Sequence, residues 1–263
     1  MIFEKSNSKF FPILIIISLG ESLGALGTEE CLKILERFKD DPVVEVSETC
    51  TLAVDRIKWV LENQKGDLIS KYHTYDPAPS SEVKDISKLE EILLNDQLSM
   101  FERYRALFSL RDIVKDDSHN EERVKSSISA ICKGLKDKSA LFRHEMAYVL
   151  GQISHPYAIE SLKETLELSN EHEMVRHESA EALGKLNLLF FAFFLNYLLF
   201  TLGNIATEET YPVLFQFSKD NVDVVRESCE VALDVYDYVN NNDQFQYCDS
   251  LISVQSENTE EKK

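Results

Sequence analysis

Apolar residues along most of this chain recur every three to four positions, as they do on one face of an α-helix. Short segments of this kind, such as SSISAICKGL at 126–135 and AIESLKETLEL at 158–168, are separated by polar turns. Alternating patterns typical of strands are scarce, and the 263 residues include only 8 Gly and 6 Pro. The pattern therefore predicts an all-α protein.

One helical motif recurs in the later part of the chain. LFRHEMAYVLGQ at 141–152 matches MVRHESAEALGK at 174–185. MFERYRALFSLRD at 100–112 and VVRESCEVALDVY at 224–236 are degenerate copies of it. Helix pairs that recur at this spacing stack side by side, and each pair packs only on its neighbours. We therefore predict a HEAT-like α-solenoid.

The motif also appears near the start of the chain, at two different offsets from its later copies. The GESLG of 20–24 matches the AEALG of 180–184. The VSETCTLAVD of 46–55 matches the VRESCEVALD of 225–234, which lies further along than the first offset would place it. The chain is therefore predicted to contain two related halves, with extra residues in the later one.

An apolar block at 185–203 accounts for the change of offset, because its length equals the difference between the two offsets. We interpret this block as an insertion derived from a translated intron. Residues 1–19 include the apolar FFPILIIISL of 10–19 and end, as the block does, at a Leu-Gly pair, so we interpret them as non-native sequence of the same origin. The alternative is a membrane-anchored protein, because the block approaches the roughly 20 apolar residues that span a bilayer.

The repeats and the composition divide the chain into four parts. We predict a truncated early half at 1–63, a linker at 64–98 that contains the Pro- and Ser-rich DPAPSSE, a later half at 99–240 and an acidic tail at 241–263. The later half has four repeat members and the early half two, so symmetry predicts a parent with two four-repeat halves.

The formal net charge of −18 excludes most nucleic-acid partners, because an acidic surface repels phosphate backbones. A cationic substrate fits this charge better, although solubility alone would also explain it. The five cysteines are widely spaced and form no CxxC pair. This pattern predicts a reducing, cytoplasmic setting and argues against a disulfide framework or a structural zinc site.

Two His-Glu pairs stand at equivalent repeat positions, His144-Glu145 and His177-Glu178. Adjacent repeats bring equivalent residues together, so both imidazoles can meet one ion. Two imidazoles and a carboxylate are typical of non-haem Fe(II) sites. A lone pair would more simply be surface residues at a helix start, but two pairs in register favour metal ligands. The other histidines lack a register partner and are predicted to be solvated: His73, His119, His155 and His172, which precedes Glu173.

These RHE motifs, their degenerate copies and the YDPAP of 75–79 resemble deoxyhypusine hydroxylases over about residues 20–250, apart from the apolar block. The resemblance implies a symmetric HEAT-repeat dyad with two Fe(II) ions per complete enzyme. It implies an O2-dependent monooxygenase that converts deoxyhypusine to hypusine on a translation factor, with no role for nucleic acid or a membrane.

By this resemblance, His144, His177 and Glu178 bind one iron. Glu145 is the candidate catalytic residue beside the substrate amine, and a further candidate for the metal site. At the matching place in the early half stand Ile17 and Ser18, which cannot replace a His-Glu pair. The sequence therefore predicts at most one iron in this chain and an inactive isolated polypeptide. A non-catalytic HEAT scaffold and a HEAT-like bilin lyase are competing interpretations of the same repeats.

Overall fold

The computed structural model describes residues 10–63, 69–195 and 209–240. Within these ranges the chain forms α-helices, one short 3-10 helix at Pro156–Ala158 and an isolated bridge between Ile69 and Tyr75, which confirms the predicted all-α fold. The helices are α1 (Phe10–Leu26), α2 (Glu29–Leu35), α3 (Val44–Asn63), α4 (Ile86–Leu94), α5 (Met100–Asp116), α6 (Glu121–Gly134), α7 (Ala140–Ile153), α8 (Ile159–Glu167), α9 (Glu173–Leu195), α10 (Tyr211–Phe217) and α11 (Asp223–Asn240).

Short polar side chains define where several helices begin. Ser99, Asn120 and Ser139 accept hydrogen bonds from the backbone N–H groups three residues later, at the starts of α5, α6 and α7. Such caps satisfy amides that have no partner inside the helix. The Ser139 cap fixes the first turn of α7, which directly precedes His144.

The arginine that precedes each His-Glu position ties its repeat to the turn before the next repeat. Arg103 binds Asp137, Arg143 binds Glu171 and Arg176 binds Asp220, and all six side chains are largely buried. Arg103 and Arg176 also donate from Nε to backbone carbonyls ten residues earlier, those of Leu93 and Leu166. The arginine of the RHE motif therefore connects repeats, and the adjacent His-Glu pair takes no part in these ion pairs.

Each half contains the same close contact between two helices, and the glycines at these two contacts occupy equivalent repeat positions. A Cβ added at Gly24 of α1 would lie 2.9 Å from the Cβ of Ala53 in α3. A Cβ added at Gly184 of α9 would lie 2.7 Å from the Cβ of Ala232 in α11. The first offset of the sequence pairs Gly24 with Gly184, and the second pairs Ala53 with Ala232, so both offsets are matched in the packing.

The segment predicted as a linker contains helix α4 and a stretch of chain held on α5. We call residues 69–81 the strap. Its Ser80 donates to Asp112 Oδ2 at 2.6 Å, and the amide of Ser81 donates to Ser109 Oγ at 2.7 Å. Buried Leu89 and Leu93 pack α4 into the main core. The described part of 64–98 therefore forms part of the fold.

The regions predicted to be foreign or terminal lie partly outside the described residues. These are 1–9, 196–208 and 241–263, which include the acidic tail and the end of the apolar block. The backbone of 185–195 continues α9, and α1 begins at Phe10. In the described ranges no helix is long and apolar enough to cross a membrane. The four cysteines there are all free thiols.

Candidate metal centre

Helices α7 and α9 present the two His-Glu pairs near their N-terminal ends, because both helices begin a few residues before the motif. The helices pack side by side, so His144 of one repeat faces Glu178 of the next. His144 Nε2 lies 3.4 Å from Glu178 Oε2. Stacking therefore brings together residues that belong to successive repeats.

His177 makes the equivalent contact one repeat further on. Its Nδ1 lies 2.6 Å from the hydroxyl oxygen of Ser228 in α11, the residue that takes the place of the motif's Glu. Its Nε2 lies 3.5 Å from Glu181 Oε1, one turn along α9. Ligand atoms of His177, Glu178 and Glu181 all lie within 4.8 Å of one another, so this group could hold a metal ion.

Acidic residues dominate the surroundings of His144. Burial would lower the pKa of His144, but its hydrogen bond to Glu178 and the charges of Glu145 and Glu21 outweigh burial and raise it. One imidazole thus faces three carboxylates. This excess of negative charge favours a bound cation.

Glu145, which is 5% exposed, is the group most affected by this environment. Burial, and then the nearby Glu21 carboxylate, raise the pKa of Glu145 to about 8. Burial of its carboxylate also raises the pKa of Glu21, although much of that residue is exposed. The pKa values of both carboxyl groups are thus raised, first by burial and also by neighbouring carboxylates. A cationic amine or a metal ion bound there would stabilise the ionised carboxylates.

A cavity of about 220 Å³ opens beside these groups, between the two halves of the chain. Its walls come from α1 and α3 of the early half, from the strap, and from α7 of the later half. The lining residues that carry charge or a phenol are Glu21, Arg56, Tyr75, Asp76, His144, Glu145 and Tyr148. The cavity therefore borders His144 and Glu145 and is lined by three carboxylates and one guanidinium.

The donor set fits a single divalent metal ion. Among the residues that the structure describes, His144 Nδ1 is buried and has no hydrogen-bond partner. Neutral imidazoles and carboxylates are ligands for Fe(II), Mn(II) and Zn(II). The four predicted ligand residues are brought to one place: His144 and Glu178 are in contact, and His177 and Glu145 each lie beside one of them.

The matching position in the early half has a different character. Ile17 is 3% exposed and packs with Leu141 of α7 and Met174 of α9 in an apolar cluster. Ser18 is exposed on α1. The described residues of α1 therefore offer no second His-Glu pair at this place.

The histidines predicted to be solvated have varied surroundings. His73 and His119 are exposed, and His155 is half-buried. His172 Nδ1 accepts a hydrogen bond from the amide of Met174, and its Nε2 lies 3.5 Å from Glu45 Oε1 of the early half. His172 therefore contributes to the start of α9 and to a contact between the halves.

Four residues of the site were not predicted from the sequence. Glu181 and Tyr148 each lie four positions after a motif histidine, and this spacing places them on the same helix face as the histidine. Glu21 could have been found from the match of GESLG with AEALG, which makes it the equivalent of Glu181. Asp76 belongs to the YDPAP motif, but its contact with α5 is non-local and has no spacing signal.

Comparisons with known proteins agree with this architecture. A family model described as HEAT repeats matches residues 128–188. The chain is 44% identical to a deoxyhypusine hydroxylase of Drosophila melanogaster over 235 residues, which cover 89% of this chain and 68% of that protein. It is 40% identical to deoxyhypusine hydroxylases of Danio rerio (90% of this chain, 70% of that protein) and Homo sapiens (88% and 67%).

A solved structure of human deoxyhypusine hydroxylase in complex with glycerol superimposes with a TM-score of 0.69 at 41% identity. The match covers 83% of this chain and 66% of the human one. This chain thus spans about two thirds of the length of these relatives. The predicted HEAT-like solenoid is confirmed.

Proposed function

This chain belongs to the deoxyhypusine hydroxylase family, and from that premise we propose that its site acts on the deoxyhypusine side chain of a hypusine-bearing translation factor. The observation that supports this most strongly is the placement of His144 and Glu178, in contact with each other, beside an acidic cavity. Deoxyhypusine is long, flexible and cationic, and the carboxylates of this cavity complement it.

We propose that His144, His177 and Glu178 bind one Fe(II), and that Glu181 adds a carboxylate at the exposed side of the site. The ligand atoms of His177, Glu178 and Glu181 are already close enough to share one ion. Ser228 holds the other ring nitrogen of His177 and so fixes the direction of that imidazole. When bound, the iron supplies the activation of O2 that a monooxygenase needs.

Glu145 acts at the substrate amine in this proposal. In the ligand-free cavity, the pKa of Glu145 is raised to about 8, first by burial. A bound ammonium group would restore its negative charge, because opposite charges in a poorly solvated site favour the ionised forms. Glu145 would thus orient the aminobutyl chain, with Glu21 of the same cavity as a second anchor.

Hydroxylation replaces one C–H bond of that chain with C–OH, and an external two-electron reductant takes the second oxygen atom of O2 to water. Ile17 and Ser18 stand at the early-half motif position, so the described residues provide ligands for one iron only. We therefore expect the isolated polypeptide to turn over far more slowly than the Drosophila relative.

A binding experiment tests this function without depending on turnover. The iron-loaded chain would be titrated with the translation factor in its deoxyhypusine form and in its unmodified lysine form. We expect the deoxyhypusine form to bind at least about tenfold tighter, a difference of roughly 1.4 kcal/mol, because only its added amine reaches Glu145. Equal affinity for the two forms would contradict the proposal.

Matched glutamine variants assign that preference to Glu145. Glu145→Gln should remove most of it, whereas Glu164→Gln on the exposed surface of α8 should leave it intact. If both variants lose the preference, the cause is a general effect of charge. If both retain it, Glu145 does not bind the substrate amine.

The division into an early half, linker, later half and tail is likewise proposed, and the paired Gly–Ala approaches support it. A cytoplasmic location is proposed because the substrate is a translation factor. The free cysteines of the described ranges agree with a reducing compartment.

A further inference from the structure

One wall of the cavity comes from the strap, at Thr74–Pro77. This short stretch of irregular chain has a non-glycine residue, His73, in the left-handed region at φ 61°. Such a loop needs contacts elsewhere to hold one conformation. At Asp76 those contacts come mainly from Arg111 of α5.

Arg111 grips Asp76 through both of its terminal nitrogens. Nη1 donates to Asp76 Oδ1 at 3.0 Å, and Nη2 donates to Asp76 Oδ2 at 2.5 Å. Thr74 Oγ1 donates to the same Oδ1 at 2.8 Å, and Arg56 Nε donates to the carbonyl of Asp76 at 3.0 Å. Arg111 is 0% exposed, and bidentate pairs of this type are the most directional ion pairs in proteins.

The same guanidinium also reaches the later half of the site. Arg111 Nη1 donates to Gln152 Oε1 of α7 at 2.9 Å. The Gln152 side chain in turn hydrogen-bonds the hydroxyl of Tyr148, which lines the cavity one turn after His144. Arg111 therefore connects two walls of the cavity, although it does not line the cavity itself.

The ion pair with Arg111 also affects how strongly Asp76 can attract a cation in the cavity. Asp76 faces Arg111 with both carboxylate oxygens, so its negative charge is paired with a buried guanidinium. Glu21 and Glu145 are the lining carboxylates on the side of His144. A cationic chain that enters the cavity is thereby directed towards the metal centre and away from the strap.

We propose that Arg111 is a positioning residue: by holding Asp76 of the strap and Gln152 of α7 at once, it sets the width and charge of the cavity and so the affinity for a cationic substrate side chain. This inference rests on the proposed function for the nature of the ligand. The arrangement of the walls does not depend on it.

The test uses Arg111→Lys, which keeps the charge but cannot make the bidentate contact. Amide hydrogen exchange of the strap is measured first, since it needs no ligand and no turnover. We expect exchange at residues 72–78 to accelerate at least about tenfold, while α9 keeps its protection. Unchanged exchange in the strap would overturn the claim that Arg111 holds this wall.

Titration with the deoxyhypusine form of the translation factor then tests the consequence. We expect Kd to rise at least about tenfold in Arg111→Lys with the iron content unchanged. If the strap loosens but Kd stays the same, the wall does not determine affinity and the proposal fails. If the wild-type chain shows no preference for the deoxyhypusine form, the proposed function fails, and hydrogen exchange still decides the role of Arg111.

Arg103→Lys is the matched control, because Arg103 is also a buried arginine of α5 with an aspartate partner, Asp137. It lies away from the lining of the cavity, so this variant should lower the melting temperature without changing strap exchange or Kd. A similar rise of Kd in Arg103→Lys would show that Arg111 acts only through overall stability, which would overturn the proposal.

The double variant Asp76→Asn, Arg111→Lys should bind no more tightly than Arg111→Lys alone, because the bidentate ion pair that holds the strap is absent in both.

Discussion

The α1–α3 pair of the early half and the α9–α11 pair of the later half are built on one plan and have different surfaces. In both, a glycine meets an alanine at a distance that leaves no room for another Cβ. Yet α9 presents His177 and Glu178 at the place where α1 has Ile17 and Ser18. Shared packing therefore coexists with chemistry in one copy and an apolar contact in the other.

The comparison shows that the packing of a repeat and its candidate metal ligands involve different residues. The Gly–Ala approach sets how two helices cross, and the RHE arginine ties successive repeats together. His177 and the buried Glu178 take part in neither contact. A copy can thus lose its ligands and keep its fold, as solenoid repeats allow.

The largest expected effect comes from changing His177 and Ile17, which occupy the same repeat position in α9 and α1. His177→Ala should weaken iron binding at least about 100-fold, more than is usual for loss of a residue that only supports a ligand, and should change stability little. Ile17→Ala should leave iron binding intact and cost about 2–5 kcal/mol, because it empties a packed apolar site. Iron titration and chemical unfolding of both variants measure this, and equal effects of the two on iron binding would refute it.

The next comparison concerns two aspartates that the repeat makes equivalent, Asp41 and Asp220. Each accepts a hydrogen bond from the amide two residues later, but only Asp220 also binds Arg176, since the residue at the position of Arg176 in α1 is Ile16. Asp220→Asn should cost about 3 kcal/mol, because it leaves a buried guanidinium unpaired. Asp41→Asn should cost about 1 kcal/mol or less.

The difference between these variants should depend on pH. Burial would raise the pKa of Asp220, but its hydrogen bonds to Arg176 and the Val222 amide and the charge of Arg226 outweigh burial and lower it. A lowered folded-state pKa gives stability that is complete above the unfolded value of about 4 and is lost as pH falls through the folded value. Thermal unfolding should therefore show wild type and Asp220→Asn converging below about pH 4, and a constant gap would contradict the assignment.

The smallest expected effect tests the shared Gly–Ala approach. Gly24→Ala and Gly184→Ala should each destabilise the chain by about 1–2 kcal/mol, because the added methyl group meets an alanine Cβ and Cα on the facing helix. Gly184→Ala should also weaken iron binding, since α9 carries His177, whereas Gly24→Ala should not. Adding Ala232→Gly or Ala53→Gly should restore stability in the matching variant, and failure to do so would show that the contact is not the cause.

Much of this architecture could be predicted from local patterns. Helical periodicity and the recurring RHE motif identify α7 and α9, and their register brings His144 near Glu178. The two offsets foretell the equivalent packing of Gly24 and Gly184. These features depend on spacings along the chain, which can be read directly from the sequence.

The features that were not predicted depend on contacts between distant parts of the chain. Asp76 belongs to a Pro-rich stretch that resembles a linker, and only the buried Arg111 of α5 makes it a wall of the cavity. Glu21 acquires its role from facing His144 across the halves. The pairing of Asp76 with Arg111 has no period or spacing, so the sequence alone does not reveal it. The repeat match marks the position of Glu21, but its contact with His144 is known only from the fold.

The iron content of the purified chain tests the central claim most directly. The protein would be loaded with Fe(II) without oxygen, freed of excess metal and analysed for iron per polypeptide, with a variant that carries both His144→Ala and His177→Ala as the blank. We predict one iron per chain in the wild type and none in the double variant. Two irons per chain, or iron that persists in the double variant, would contradict the account of a single His-Glu centre.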